Sequence, residues 1–201
     1  PGHRMSVVSM KLFTALLAAT LLVHPSARAD ITIGRFDMDS VRDASTLDTR
    51  VIEDWRPLAK DASLRSKLIE ITVCDWWPGQ KVRLPVCMLA PMGKVCTNVL
   101  IENTGLQPKV TVPTGAKLRL LKEHGVGIVL IGMVSITDME PAGQLHLEME
   151  EHFLKSKDAR YTPAWIWGLS DMRALTAAMA EKDVFQPKKV MTTGGSKRGV
   201  A

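Results

Sequence analysis

The run Val-Gly-Ile-Val-Leu-Ile at residues 126–131 constrains this chain more than any other feature. A strand with no polar alternation has no face to give to water, so it belongs in a sheet covered on both sides. The residues before it read as a helix over 116–124, with Thr114 placed to cap its start and Gly125 to end it. Upstream lies a short apolar run at 99–101. Downstream come two further helical patterns, at 145–155 and 169–182, and a last strand at 188–193. Strands alternating with helices predict an α/β sheet with helices on both faces.

The segments ahead of that alternation have a different rhythm. Residues 68–73 and 82–89 read as strands separated by turn signals at 76–80, hence an antiparallel pair. Pro85 within the second strand predicts an edge position, because proline donates nothing to a ladder. Residues 51–55 read as the start of a short helix inside an N-terminal arm over 30–67, and residues 68–201 as the main domain.

The N-terminus has a separate logic. Arg4 and Lys11 precede an uncharged apolar run at 12–23, and Ala27-Arg28-Ala29 supplies small residues in an A-x-A cleavage pattern. The run is shorter than the ~20 apolar residues a membrane-spanning helix needs. Residues 1–29 therefore read as a cleaved signal peptide, with no stable membrane anchor and a periplasmic or secreted destination. Those residues carry three basic side chains and no acid, so their removal lowers the formal net charge from +5 to +2. No dense basic stripe remains to bind nucleic acid. The spacing of Cys74, Cys87 and Cys96 fits no zinc pattern, and no metal or cofactor is expected. Cys87 and Cys96 fall on neighbouring predicted elements, where they either pair or pack as small buried hydrophobes.

The chemistry concentrates at Gly194-Gly195-Ser196-Lys197-Arg198-Gly199, directly after the last strand. One reading is a nucleophile elbow, in which Ser196 stands on a sharp strand-to-helix turn and small residues let strand and helix approach. The backbone N–H of Lys197 would then face a developing oxyanion. A second reading is a glycine-rich dinucleotide loop, but such loops follow the first strand of their domain. A third is a glycine turn without chemistry. His124, His146 and His152 all precede Ser196, and in hydrolases of this type the order is Ser, acid, His. Trp165 and Trp167 read as packing residues, and Met133 and Met139 as core or loop filler.

The succession Glu148-Met149-Glu150-Glu151-His152-Phe153-Leu154-Lys155, Trp165, Met172-Arg173-Ala174-Leu175 and Lys189-Val190-Met191-Thr192-Thr193-Gly194-Gly195-Ser196-Lys197-Arg198-Gly199 resembles the PhoPQ-activated pathogenicity-related proteins. That family looks like exported α/β hydrolases with a Gly-x-Ser-Lys-Arg-Gly elbow. The resemblance implies an α/β-hydrolase-like sheet and a serine hydrolase of esterase or peptidase type. It implies Ser196 as nucleophile and Lys197 as oxyanion N–H donor. The loop after the third strand of that fold would give a second donor from Asn103, Thr104 or Gly105. Arg198 would hold an acidic substrate group or pair with a carboxylate. Partners implied are small-molecule or peptide esters and amides. The chain reads as the N-terminal portion of such a protein, ending after the elbow, with the triad acid and His not included. A catalytically inactive binding or signalling protein of the same fold is the alternative.

Overall fold

The computed structural model describes residues 36–104, 109–110, 112–133 and 144–194, all within one unit, Ile31–Ala201. The expected signal peptide lies outside the described residues, as do Gly105, Met139, Ser196, Lys197 and Arg198.

Among the described residues six strands form one sheet: β1 Arg50–Leu58, β2 Asp61–Trp77, β3 Gln80–Pro91, β4 Cys96–Thr104, β5 Gly127–Gly132 and β6 Phe185–Thr193. Their spatial order is β1-β2-β3-β5-β4-β6. Neighbours are antiparallel from β1 through β3 to β5, then parallel from β5 to β4 and from β4 to β6. The helices are α1 Met38–Arg42, α2 Gly115–His124, α3 Gln144–Ser156 and α4 Pro163–Ala180, with short 3-10 turns at Ala44–Leu47 and Ala159–Tyr161.

β5 is buried along its whole length, as its lack of alternation requires. Its even residues Ile128 and Leu130 join Leu68, Cys87, Leu89 and Leu100 under Leu121 of α2. Its odd residues Val129 and Ile131 join Val99 and Ile101 on the other face, under Ile166 and Ala174 of α4 and Leu145 and Met149 of α3. Helices therefore cover both faces. α2 ends at Gly125, whose φ of 61° is the left-handed conformation glycine adopts without strain. Thr114 has the extended backbone of an N-cap, but its side chain makes no capping bond.

Several expectations are corrected. Residues 51–55 are not helical; they belong to β1, an edge strand held by an antiparallel register with two shifts between Val51 and Arg56. Pairing with β2 overrides a weak local preference there, and it draws residues 50–58 of the expected arm into the sheet. Pro85 is not on an edge strand, since β3 lies between β2 and β5. It is tolerated because β5 pairs only with Val86–Leu89, so Pro85 stands beyond the end of that ladder. Cys87 and Cys96 form no disulfide with each other or with Cys74. β5 separates their strands, and their side chains point to opposite faces of the sheet. Two strand spacings exceed the ~7 Å that a disulfide can bridge. The helix expected from 169 begins at Pro163, with Thr162 Oγ1 accepting from the Trp165 N–H at 3.4 Å. A Thr cap followed by Pro at the first helical position was the signal for that start.

The N-terminal stretch is pinned to α4 by one side chain. Arg173, 3% exposed, donates from Nη1 to the carbonyls of Ser40, Val41 and Asp43 at 3.1, 2.9 and 3.0 Å, and from Nη2 to Thr46 Oγ1 at 2.9 Å. These carbonyls end α1, where backbone donors run out: only Ser40 among them also accepts a backbone N–H, that of Asp43 at 3.3 Å.

Candidate active site

Three parallel strands end together at one edge of the sheet. Thr104 of β4 is level with Gly132 of β5, and Glu102 of β4 is level with Thr193 of β6. Beyond β4 the chain continues to α2 on one face. Beyond β5 it continues to α3 and α4 on the other. Adjacent strands whose connections leave to opposite faces open a crevice outside their carboxyl ends, where α/β proteins bind ligands.

A solved structure shares this architecture. A glucuronoyl esterase from Solibacter usitatus superposes with a TM-score of 0.50 at 15% identity, over 75% of this chain and 46% of that one. The fold is that of an α/β hydrolase. A second structure of a Solibacter usitatus glucuronoyl esterase gives 0.49 at 17% identity, over 76% of this chain and 46% of that one. A Bacteroides fragilis protein described provisionally as an acetyl xylan esterase gives 0.47 at 14%, over 79% and 44%. The chain thus spans about half the length of the solved structures it resembles. No protein-family model matches it, and neither does any curated protein.

In this α/β-hydrolase sheet the residues expected at the site fall as follows. Asn103 and Thr104 are the last two residues of β4, so only the chain after Thr104 can act as a loop. Thr104 is half-buried. Asn103 is fully inside, with Nδ2 donating to Asp171 Oδ1 at 3.3 Å and to the Trp167 carbonyl at 3.5 Å. Asp171, on α4, was not legible as a site residue. Burial pushes its carboxyl up to about 6, and the Asn103 hydrogen bond pulls the other way. Glu102, alternating with Asn103, faces the α2 side and pairs with Lys117. β6 ends at Thr193, three residues before Ser196, and Gly194 is half-buried.

The histidines play other parts. His124 ends α2, exposed, where a cation suits the helix dipole. His146 faces Glu150 one helical turn on, both exposed. His152 stacks on Tyr161 with centroids 5.0 Å apart and lies 5.0 Å from Trp77. Trp167 is buried in the core and Trp165 stacks on Phe36 at 5.2 Å, so both are packing residues. Met133 packs against the same core.

A cavity of about 430 Å³ opens elsewhere, between the far end of β2, α1 and the first half of α4. Val73, Cys74, Trp165 and Arg173 line it. It does not include Asn103 or Thr104, so it is separate from the strand ends. No cluster of three potential metal ligands occurs among the described residues. No helix among them is long and apolar enough to cross a membrane.

Proposed function

We propose that this chain is the N-terminal portion of an exported serine hydrolase of esterase type, related to the PhoPQ-activated pathogenicity-related proteins, with Ser196 as its nucleophile. The observation that carries this reading is the place of β6. It is the last of the six described strands, runs parallel beside β4, and ends level with Glu102. A Ser-Lys-Arg-Gly sequence beginning three residues later suits an elbow at that place in the chain. A dinucleotide loop would instead follow a first strand.

In this reading Ser196 Oγ attacks the ester carbonyl and gives up its proton to a general base. The oxyanion that forms is met by the N–H of Lys197 and by a donor from the chain leaving β4, at Thr104 or Gly105. The alcohol departs with the proton, and water then releases the acid from the acyl-enzyme. A complete triad needs an acid and a His after Ser196. Without its base the serine is a weak nucleophile. Arg198 is suited to hold an acidic substrate group. The activity named for the Solibacter protein makes an ester of a uronic acid the first substrate to try.

The test is labelling of the full-length protein with a fluorophosphonate probe. Covalent labelling lost in Ser196→Ala supports the enzyme. A folded full-length protein that never labels favours the inactive binding or signalling role.

A further inference from the structure

Asn103 and Asp171 are the most deeply buried polar pair at the carboxyl edge, at 1% and 8% exposure. Asn103 spends its amide N–H groups on Asp171 and on the Trp167 carbonyl. Both partners are acceptors, which settles which end of the amide is nitrogen. The other end, Oδ1, is buried and meets no donor among the described residues. A buried acceptor without a donor is disfavoured, and an ionised Asp171 makes matters worse because a carboxylate can only accept.

A neutral carboxylic acid has an O–H to give. Facing an amide, it closes a ring of two hydrogen bonds: amide N–H to one acid oxygen, acid O–H to the amide oxygen. The protonated form of Asp171, already in contact with the Asn103 amide through Nδ2 at 3.3 Å, has the kind of donor that Asn103 Oδ1 lacks.

Among the described residues no other charge near α4 opposes this. Arg173 is engaged by the α1 carbonyls, Arg160 by Asp158, and Lys67 by Asp54 and Glu181. Glu102 faces α2 with Lys117, Glu70 pairs with Arg50 and Arg83, and β5 carries no titratable side chain. Cys74 is a neutral thiol held so by burial. Asp39, Arg42, Asp43, Asp48, Asp75, Lys188 and Lys189 are exposed to solvent.

We propose that Asp171 works as a neutral acid in a reciprocal pair with Asn103, and that this pair is a positioning device fixing the end of β4, from which the oxyanion donor departs. The functional half of this inference rests on the hydrolase reading; the pairing does not. With its carboxyl pushed up to about 6, Asp171 changes state in a range where hydrolases operate. Ionisation sets a carboxylate against Asn103 Oδ1 and loosens the strand end. Serine reactivity then gains a limb that declines as Asp171 loses its proton, opposite in sign to the rise expected from a His base.

Two measurements test this. The first is a carbon-13 NMR titration of the aspartate carboxyls of the chain, with Asp171 assigned by its loss in Asp171→Asn. A midpoint near 6 is expected. A midpoint in the ordinary range near 4 overturns the pairing. The second is the rate of fluorophosphonate labelling of Ser196 in full-length protein across pH. Asp171→Asn keeps a donor toward Asn103 at every pH, so it should label at the wild-type low-pH rate and lose the declining limb. Asp171→Leu offers no donor and should label ~10- to 100-fold more slowly, as misplaced catalytic groups do, with folding checked by circular dichroism. Equal rates and superimposable pH profiles in all three proteins overturn the positioning role. Absence of labelling in the wild type sinks the hydrolase reading and the positioning role together, while the NMR midpoint still judges the pair on its own.

Discussion

Arg173 on α4 donates to the carbonyl of Val41, 132 residues earlier in the chain, at 2.9 Å. The Thr176 hydroxyl, one turn further along α4, donates to the same oxygen at 2.8 Å. Two side chains of one helix thus end another helix that has no glycine to do so. Removing the guanidinium takes one donor from each of three carbonyls and from Thr46 in a part-buried site; Ser40, Val41 and Asp43 keep only the Asp43 N–H, the Thr176 hydroxyl and the Thr46 hydroxyl. Arg173→Met should cost about 3 kcal/mol, from charge-assisted bonds of roughly 1.5–3 kcal/mol each, partly replaced by water. Arg173→Lys should recover less than half of that, because an ammonium cannot span the same fork of acceptors. Thr176→Val should cost about 1 kcal/mol. Urea unfolding at constant m-value measures all three; an Arg173→Met midpoint equal to wild type would show that the N-terminal stretch does not depend on this anchor.

Gly127 begins β5 at a point where no side chain fits. A Cβ built there would lie 2.4 Å from Phe185 Cε1 and 3.0 Å from Cys96 Cβ. Phe185 is itself buried, so its ring has little room to retreat. Gly127→Ala should destabilise by about 1–3 kcal/mol, the usual range for overpacking. The double variant Gly127→Ala with Phe185→Leu should show favourable coupling, because the shorter side chain vacates the space. Additive effects in a double-mutant cycle would mean the clash relaxes elsewhere.

Asp171 gives stability an unusual pH dependence. Its folded value, about 6, lies above the unfolded 3.8. The folded protein therefore binds more protons in that interval, and stability falls as pH rises through it. The contribution is complete below about pH 4 and gone above about pH 6, with a size of about 3 kcal/mol at most from a shift of this length. Asp61 runs the other way. Bonds from Lys122 and Ser63 hold it down to about 2, so its contribution is present above pH 4 and fades in stronger acid. Wild type should lose stability relative to Asp171→Asn, which cannot ionise, as pH rises from 4 to 6. A difference independent of pH would mean Asp171 titrates like an exposed carboxyl.

The cysteines should be slow to react in the folded state. Burial pushes Cys74 up to about 12 and also raises Cys96. The attacking species is the thiolate, and for Cys74 a three-unit rise thins it about a thousandfold. Ellman's reagent should modify all three thiols quickly in denaturant and Cys74 and Cys96 only slowly without it. Oxidation should not link Cys87 to Cys96. A Cys87–Cys96 disulfide in folded protein would contradict the strand order itself.

β6 is an edge among the described residues, and most of its length is exposed, including Val190 and Met191. An uncovered parallel strand of this kind is a template for pairing with another chain. The isolated residues 30–201 are expected to self-associate, and Met191→Lys should lower that tendency by placing charge on the edge. Light scattering after purification tests it; a cooperative, monodisperse wild-type fragment would count against the edge as the cause.

Much of the central fold was legible because it rests on local signals. The apolar run at 126–131 became β5, fully buried. The pattern ending at Gly125 became α2, and 145–155 became α3 within a residue at either end. β1 was not legible: Val51, Ile52 and Glu53 have no alternation of burial to detect, and only the register against β2 makes them a strand. The start of α4 was missed because the tract around Trp165 and Trp167 hides a Thr-Pro cap that is clear once seen. At the site, the elbow motif and the β4 exit were readable as positions in the chain. Asp171 was not, because its importance comes from Asn103, 68 residues away.

The chain's own pattern settled the central helices and strands, though not β1, and that two faces of β5 must be covered, since side-chain periodicity and end caps act over a few residues. Folding in three dimensions decided who stands beside whom: β5 slipping between β3 and β4, the two cysteines turned to opposite faces, Asn103 meeting Asp171. Those outcomes depend on pairing between segments far apart in sequence, where the free energy lies in contacts that no local stretch contains.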